Sequence, residues 1–368
     1  MRFHILGLPH TVTSKEYVAC AYTQKVWKFG KMMTERGHEV YHYGHEVRDW
    51  DYPDVEPVTV INDAILEQAY GAEYTREKKW RSRGFADYYS IDDLAHRHFR
   101  ANAIKEIAKR KQPRDILLCF WGWGHHEIAQ AHPDMIAIEP GIGYGGTWAR
   151  WRVYESHSIR QAIGGLESVN QCTQDNYHVV IPNYFDPEDF EYIQAKDNYI
   201  LYLGRVYAGK GVDVAIQVAE HTGQRLIVAG QGRLSDMGYR DLPPNIEEFG
   251  YADAGQRRQL MSGAQALIIA SRYSEPFAGV QCEAWLSGTP VISPDYAAFA
   301  EYNQHGVTGF RCRTFRDYVQ AVDRIDQIDP AECRRWGLRF SLEQIAPEYE
   351  RYFQDVMNVY TGQGWYQL

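Results

Sequence analysis

The chain has 368 residues with 45% hydrophobic and 24% charged side chains, the balance of an ordinary globular protein and too much chain for one core of typical size. A formal net charge of −9 argues against broad electrostatic binding to nucleic acid, while a local basic patch remains compatible with it. No apolar run approaches the ~18 residues of a membrane-spanning helix. The opening MRFHILGLPHTV has one basic residue and too short an apolar stretch for a signal peptide. Six cysteines (Cys20, Cys119, Cys172, Cys282, Cys312, Cys333) lack CxxC spacing, which suggests reduced packing residues and a cytoplasmic protein.

In chain order, residues 2–6 read as a first β-strand, followed by the loop Gly7-Leu8-Pro9-His10. Residues 22–36 follow as a helix with Val26, Phe29, Met32 and Met33 on one face, and Gly37 stops it. Residues 39–43 form the next strand, so the β-loop-α-β order announces a parallel, doubly wound sheet. Later strands are expected at 58–61, 115–120 and 135–139, with 70–89 a charged, aromatic and irregular stretch that reads as a long excursion near a cleft or an exposed helix-loop. The run Trp121-Gly122-Trp123-Gly124-His125-His126 reads as a strand-end loop. Residues 147–156 (TWARWRVYES) read as a helix face or an acceptor contact.

Prolines and an Asn in Pro182-Asn183-Tyr184-Phe185-Asp186-Pro187 end a strand at 179–181 and mark a boundary. The α/β rhythm then restarts, with strands at 199–203, 225–229, 246–250, 266–270, 290–293 and 309–311. Helices are expected at 212–221, 253–263 and up to Leu286, and a last amphipathic helix from Pro347 to Tyr360. The division is 1–182, 183–340 and a closing 341–368 helix, and two doubly wound domains facing each other would enclose a cleft.

Two stretches carry chemistry. In Leu203-Gly204-Arg205-Val206-Tyr207-Ala208-Gly209-Lys210-Gly211 a strand ends, and Arg205 and Lys210 flank a flexible turn before a helix. An arginine fork chelates phosphate and a lysine adds a mobile charge. Neither a Walker A loop nor GxGxxG is present. In Ser274-Glu275-Pro276-Phe277-Ala278-Gly279-Val280-Gln281-Cys282-Glu283, Pro276 and Gly279 put Glu275 on a loop and Glu283 inside a helix. The amides of Phe277, Ala278, Gly279 and Val280 then lie at the helix start, where N–H groups lack intrahelical partners and suit an anion. Asp213 reads as an early-helix complement to the dipole.

The string LGRVYAGKGVDVAIQVAEHTGQRLIVAGQG, together with residues 269–310, resembles the donor-binding domain of retaining GT-B glycosyltransferases of the family 4 type. The resemblance covers 179–355; the first 178 residues match only in layout. It implies two Rossmann-like α/β domains around a cleft, with a C-terminal helix crossing back to the N-terminal, acceptor-binding domain. It implies transfer of a sugar from a nucleoside-diphosphate donor, such as UDP-glucose or GDP-mannose, to an acceptor, with retention and with no metal or other cofactor. Arg205 and Lys210 would bind the diphosphate, Glu275 the sugar hydroxyls, the 277–280 amides sugar and phosphate, and Glu283 the ribose. Gly204, Gly230, Gly232 and residues 249–252 would border the donor, and Glu301 would be architectural.

On the acceptor side the chain departs from the family, with Gly7-Leu8-Pro9-His10 where relatives carry Gly-Gly, and Glu139 where many place a histidine. Gly7, His10, Trp121, Trp123, His125, Glu139 and Tyr144 are the acceptor-side candidates. The adjacent His125 and His126 lack the spacing of a metal site. A GT-B-type epimerase, a phosphorylase (for which no pyridoxal-phosphate lysine context is found) and a non-catalytic two-domain sugar-binding protein are the competing readings. Donor, acceptor and oligomeric state are not fixed by the sequence.

Overall fold

The computed structural model describes residues 1–46, 54–168 and 176–360. Cys172 and the tail 361–368, included above in the cysteine set and the closing segment, lie outside the described residues. The chain divides into two compact units, Met1–Lys78, Phe85–Tyr184 and Leu342–Leu368 in one, Lys79–Gly84 and Phe185–Ser341 in the other. The second unit thus recruits six residues that a linear division at 182/183 assigns to the first.

The first unit runs β1 (Arg2–Leu6), α1 (Ala21–Glu35), β2 (Glu39–His45), β3 (Val55–Ile61), α2 (Asp63–Tyr70) and α3 (Ala72–Thr75). After α4 (Trp80–Arg83), which belongs to the other unit, come α5 (Leu94–Ala108), β4 (Ile116–Leu118), α6 (Trp123–Gln130), β5 (Ile136–Ile142), β6 (Trp151–Tyr154), α7 (His157–Glu167) and β7 (His178–Val180). Its sheet is entirely parallel in the order β3-β2-β1-β4-β5-β6-β7. β4 is buried along its length, as expected of a strand covered on both faces. α1 buries Val26, Phe29, Met32 and Met33, the stripe expected of it, and Gly37 follows with φ 77°.

The second unit continues with β8 (Ile200–Leu203), α8 (Val212–Thr222), β9 (Leu226–Ala229), β10 (Ile246–Gly250), α9 (Ala254–Gly263), β11 (Ala266–Ile268), α10 (Gly279–Leu286), β12 (Val291–Pro294), α11 (Ala297–Tyr302), β13 (Gly309–Cys312), α12 (Phe315–Asp323) and α13 (Pro330–Gly337). Its six strands are parallel, in the order β10-β9-β8-β11-β12-β13. Both sheets change winding direction next to their first strand, so each unit is a Rossmann-like doubly wound fold. Asp253 caps α9 in a reciprocal box with Gln256.

Four local expectations are corrected. Trp151–Tyr154, expected as a helix face, is β6: the aromatic and β-branched side chains are buried on a pleated strand paired to β5 and β7. The last helix, α14 (Leu342–Tyr360), starts five residues before Pro347 and carries that proline inside it. Leu342, Ile345, Ala346 and Tyr349 are buried along one continuous face, and that burial outweighs one lost backbone hydrogen bond. The loop expected at 121–126 turns helical at Trp123, so His125 and His126 are helix residues. The stretch at 70–89 is a helix-loop with the turns α3 and α4, but it is not exposed throughout, since Tyr74 and Trp80 are fully buried in it.

Candidate functional site

The loops after β8 and β11 meet at the carboxyl end of the second unit's sheet. Gly211, with φ 68°, closes the β8 loop so tightly that a Cβ there would lie 1.9 Å from the Ala270 carbonyl oxygen. The Arg272 amide donates to the Gly209 carbonyl at 2.9 Å, joining the two loops, and Arg272 also pairs with Asp213 in the first turn of α8. In the frame this makes, Lys210 Nζ is ion-paired to Glu275 Oε1. Ser271 Oγ donates to the same oxygen at 2.6 Å. Glu275 is 7% exposed, so Lys210 and Ser271 hold one face of a nearly buried carboxylate.

Aromatic rings surround this pair. Lys210 Nζ is 5.1 Å from the Tyr273 ring centroid, a cation–π distance. Burial, reinforced by the Glu275 charge, pushes the Tyr273 hydroxyl far above its ordinary pKa, so it stays a neutral donor. Tyr296 donates to the Ser271 carbonyl and fixes that residue from the other side. Arg205 is exposed and lies 5.1 Å from the Tyr207 ring centroid.

Three residues on, the chain enters α10 through Ala278, a non-glycine residue at φ 59°, ψ 67°. Alanine in the left-handed region costs on the order of 1 kcal/mol and is found where surrounding structure over-determines it. Phe277 packs its ring into the core against Phe185, Tyr302 and Phe340, so only its backbone can serve the site. Gly279 and Val280 open the helix, and their amides face no preceding turn. Gln281 is fully buried and donates to the Phe277 carbonyl. Glu283, one turn in, is half-buried and paired to Arg257 of α9 at 2.7 Å. Glu301 is exposed near the end of α11.

Gly204 and Gly230 end β8 and β9 side by side. Gly230 has φ 146°, and a Cβ there would lie 1.8 Å from the Gly204 carbonyl oxygen. The Gly230 amide donates to the Gly250 carbonyl at 2.8 Å, which carries the contact on to the loop after β10, and Gly232 follows at φ 98°.

In the first unit the acceptor-side candidates fall into three roles. His125 is fully buried; its Nε2 bonds the Gly7 carbonyl at 3.0 Å and its Nδ1 accepts from the Trp121 amide at 3.3 Å. Burial drops its pKa to about 3, so it is a neutral strut between the β1 loop and α6. Glu139 is likewise fully buried, accepting from Tyr144 Oη at 3.0 Å and from the Trp148 and Ala149 amides at 2.9 and 2.8 Å. It shapes the loop after β5, and desolvation raises its pKa. His10 and Trp121 belong to an aromatic cluster: His10 stacks on Tyr89 at 4.1 Å, and Trp121 Nε1 donates to His96 Nε2 at 3.2 Å. His96 Nδ1 therefore carries the proton and donates to Asp93 at 2.9 Å. Trp123 is 50% exposed, steadied edge-on by His126 at 4.5 Å.

Sequence reasoning named Lys210, Glu275 and Glu283 but missed Ser271, Tyr273, Arg257 and the Asp93–His96 pair. Ser271 and Tyr273 sit within four residues of Glu275 and are readable as its neighbours once the loop is known to fold back. Arg257 and His96 come from distant helices and leave no local signal. Among the described residues no group of three or more His, Cys, Asp or Glu side chains is arranged to hold a metal ion. No helix among them is long and apolar enough to cross a membrane.

Residues 186–337 match the family model for "Glycosyl transferases group 1". An uncharacterized glycosyltransferase of Methanocaldococcus jannaschii is 27% identical over 186 residues, 46% of this chain and 46% of that protein. A glycogen synthase of Mycobacterium tuberculosis is 30% identical over 148 residues, 37% of this chain and 35% of its own. The chain thus spans about half or less of the length of these relatives. Among solved structures, AviGT4, a glycosyltransferase involved in avilamycin A biosynthesis, aligns with a TM-score of 0.67 at 20% identity, covering 97% of this chain and 98% of its own. A sucrose-phosphate synthase from Thermosynechococcus elongatus aligns with a TM-score of 0.68 at 15% identity, covering 97% and 99%. These likenesses establish the two-domain GT-B fold.

Proposed function

We propose that this chain is a retaining, metal-independent glycosyltransferase of the family 4 type that moves a sugar from a nucleoside-diphosphate donor to an acceptor hydroxyl. The observation that carries the reading is the Lys210–Glu275–Ser271 constellation beside the start of α10. It puts a cation, a carboxylate and a helix N-terminus within one loop pair, the groups that a sugar diphosphate presents in complement.

Arg205 and Lys210 hold the diphosphate and stabilise the negative charge that grows on it as the bond to the anomeric carbon breaks. The amides of Gly279 and Val280 add fixed donors to the same anion. Glu275 accepts from sugar hydroxyls, with Ser271 and Tyr273 holding the carboxylate in place. The acceptor oxygen forms its bond on the face the diphosphate leaves, and its proton passes to the departing phosphate oxygen. Glu283 and Arg257 form the ribose end of the site. In the first unit, Trp123, His10 and Trp121 serve the acceptor, while Gly7, His125, Glu139 and Tyr144 shape the loops that present them. The scattered cysteine spacing supports a cytoplasmic location.

A thermal-shift screen across UDP-, GDP-, ADP- and CMP-linked sugars tests the reading, since a ligand that binds only the folded state raises its melting temperature. The expected result is a shift with one donor class and transfer from that donor with its anomeric configuration kept, read by NMR. No shift with any of them, or an inverted product, overturns it.

A further inference from the structure

The segment Lys79–Gly84 belongs to the second unit although the residues on both sides of it belong to the first. Its four-residue helix, Trp80–Arg83, is tied to the loops after β9 and β10 by side chain and backbone together. Trp80 is fully buried, edge-on to Tyr251 with ring centroids 5.7 Å apart. The Arg81 guanidinium lies 5.3 Å from the Tyr251 centroid and 5.6 Å from that of Trp80. Gln231 Nε2 donates to the Trp80 carbonyl at 2.7 Å, and the Gly232 amide donates to the Ser82 carbonyl at 3.0 Å.

These contacts fall at the carboxyl ends of two neighbouring parallel strands, where ligands of open α/β sheets bind. Gln231 is 4% exposed, and with its Nε2 committed to Trp80 its Oε1 is buried without a partner among the described residues. An unsatisfied buried acceptor calls for a donor. Phe249, near the end of β10 and two residues before Tyr251, is 37% exposed. A cation over an aromatic face, an exposed ring and an acceptor lacking an N–H together suit a flat heterocycle with an N–H edge.

We infer that the Trp80–Arg83 segment is a wall of the nucleoside subsite, with Arg81 and Tyr251 meeting the face of the base and Gln231 Oε1 accepting from its N–H edge. This rests on the nucleoside-diphosphate donor proposed above and adds to it a recognition element from a part of the chain remote from the donor loops.

Isothermal titration of wild type, Arg81→Met and Gln231→Leu with UDP, GDP, ADP and the corresponding free nucleosides tests the inference, with inorganic pyrophosphate as the base-free probe. Circular dichroism confirms that each variant is folded, and Arg81→Lys, which keeps the cation, should recover part of the affinity. Wild type is expected to bind one nucleotide class, with Arg81→Met weakening that nucleotide and its nucleoside about tenfold while pyrophosphate affinity is unchanged. If wild type binds none of the nucleotides, the donor reading itself fails. If wild type binds but both variants bind as well or better, the segment is a brace for the loop and the subsite inference alone is overturned. Equal weakening of pyrophosphate overturns it too, since Arg81 would then act on the phosphates.

Discussion

Lys210 and Glu275 neutralise each other across the loops after β8 and β11, and Ser271 bonds the very carboxylate oxygen that Lys210 contacts. The ion pair keeps both groups placed before a donor arrives, which limits the reorganisation needed at the moment of bond breaking. Glu275→Ala and Lys210→Ala are each expected to lower kcat/KM by roughly two to three orders of magnitude, as loss of one preorganised electrostatic contact does elsewhere. Far-UV circular dichroism should show both variants folded. Full activity in both would falsify the donor-site assignment.

With Arg205 and Lys210 carrying the leaving-group charge, transfer should continue unchanged in excess EDTA. A strict divalent-metal requirement in the same assay would contradict the role given to those two residues.

Lys196 Nζ is held by the Ser262 and Ser287 carbonyls, both at 2.8 Å, and by Thr289 Oγ1 at 3.1 Å. Burial lowers its pKa to about 8 from an ordinary value of 10.5. Between those two values the unfolded chain binds a proton that the folded one has released, so this group makes stability rise with pH across that window. Urea midpoints of wild type and Lys196→Met at both ends of the window should show that rise in the wild type relative to the variant. A difference that stays constant with pH would show that Lys196 keeps an ordinary pKa.

Gly230→Ala and Gly211→Ala each place a Cβ within 2 Å of a backbone carbonyl oxygen at positive φ. Each should cost about 3 kcal/mol or more in chemical denaturation, from strain and from displacement of the neighbouring strand end. Substitution at Gly37, where a Cβ meets nothing within 4 Å, carries only the conformational part of that cost.

In the first unit Lys25 and Glu155 form a buried pair at 2.9 Å, with Lys25 also donating to the Gly141 carbonyl at 2.8 Å. Lys25→Met should destabilise by about 3–5 kcal/mol by removing the cation in contact with a buried carboxylate, while Lys25→Met with Glu155→Leu should recover most of the loss. Burial raises the Glu155 pKa, so the single variant's deficit should shrink as pH falls and the carboxylate takes up its proton. A pH-independent deficit would assign the loss to packing.

The strands and the donor loops were legible because their causes are local. Apolar runs bounded by Gly and Pro read as buried parallel strands, and Glu275 lies within a few residues of the turn that positions it. β6 was not legible: Trp151–Tyr154 is only four residues long and carries Arg152 among apolar side chains, and pairing to β5 and β7 decides its conformation. The place of Trp80 was hidden for a similar reason, since its partners Tyr251 and Gln231 lie more than 150 residues further along the chain. His125 reads from the sequence as an acceptor-side candidate, yet its two ring nitrogens are spent on backbone groups that no local pattern announces.

Phe353 of α14 is fully buried against Phe3 of β1 and Phe29 of α1, with ring centroids 5.0 and 6.0 Å apart. During synthesis the first sheet therefore emerges long before the helix that seals one face of it. The opening strands must wait, with an apolar face uncovered, while the whole second unit is made. Contacts of such long sequence separation slow folding and lengthen exposure to aggregation. A chain stopped ahead of Phe353 would keep that face open, with Phe3 and Phe29 lacking the ring that covers them.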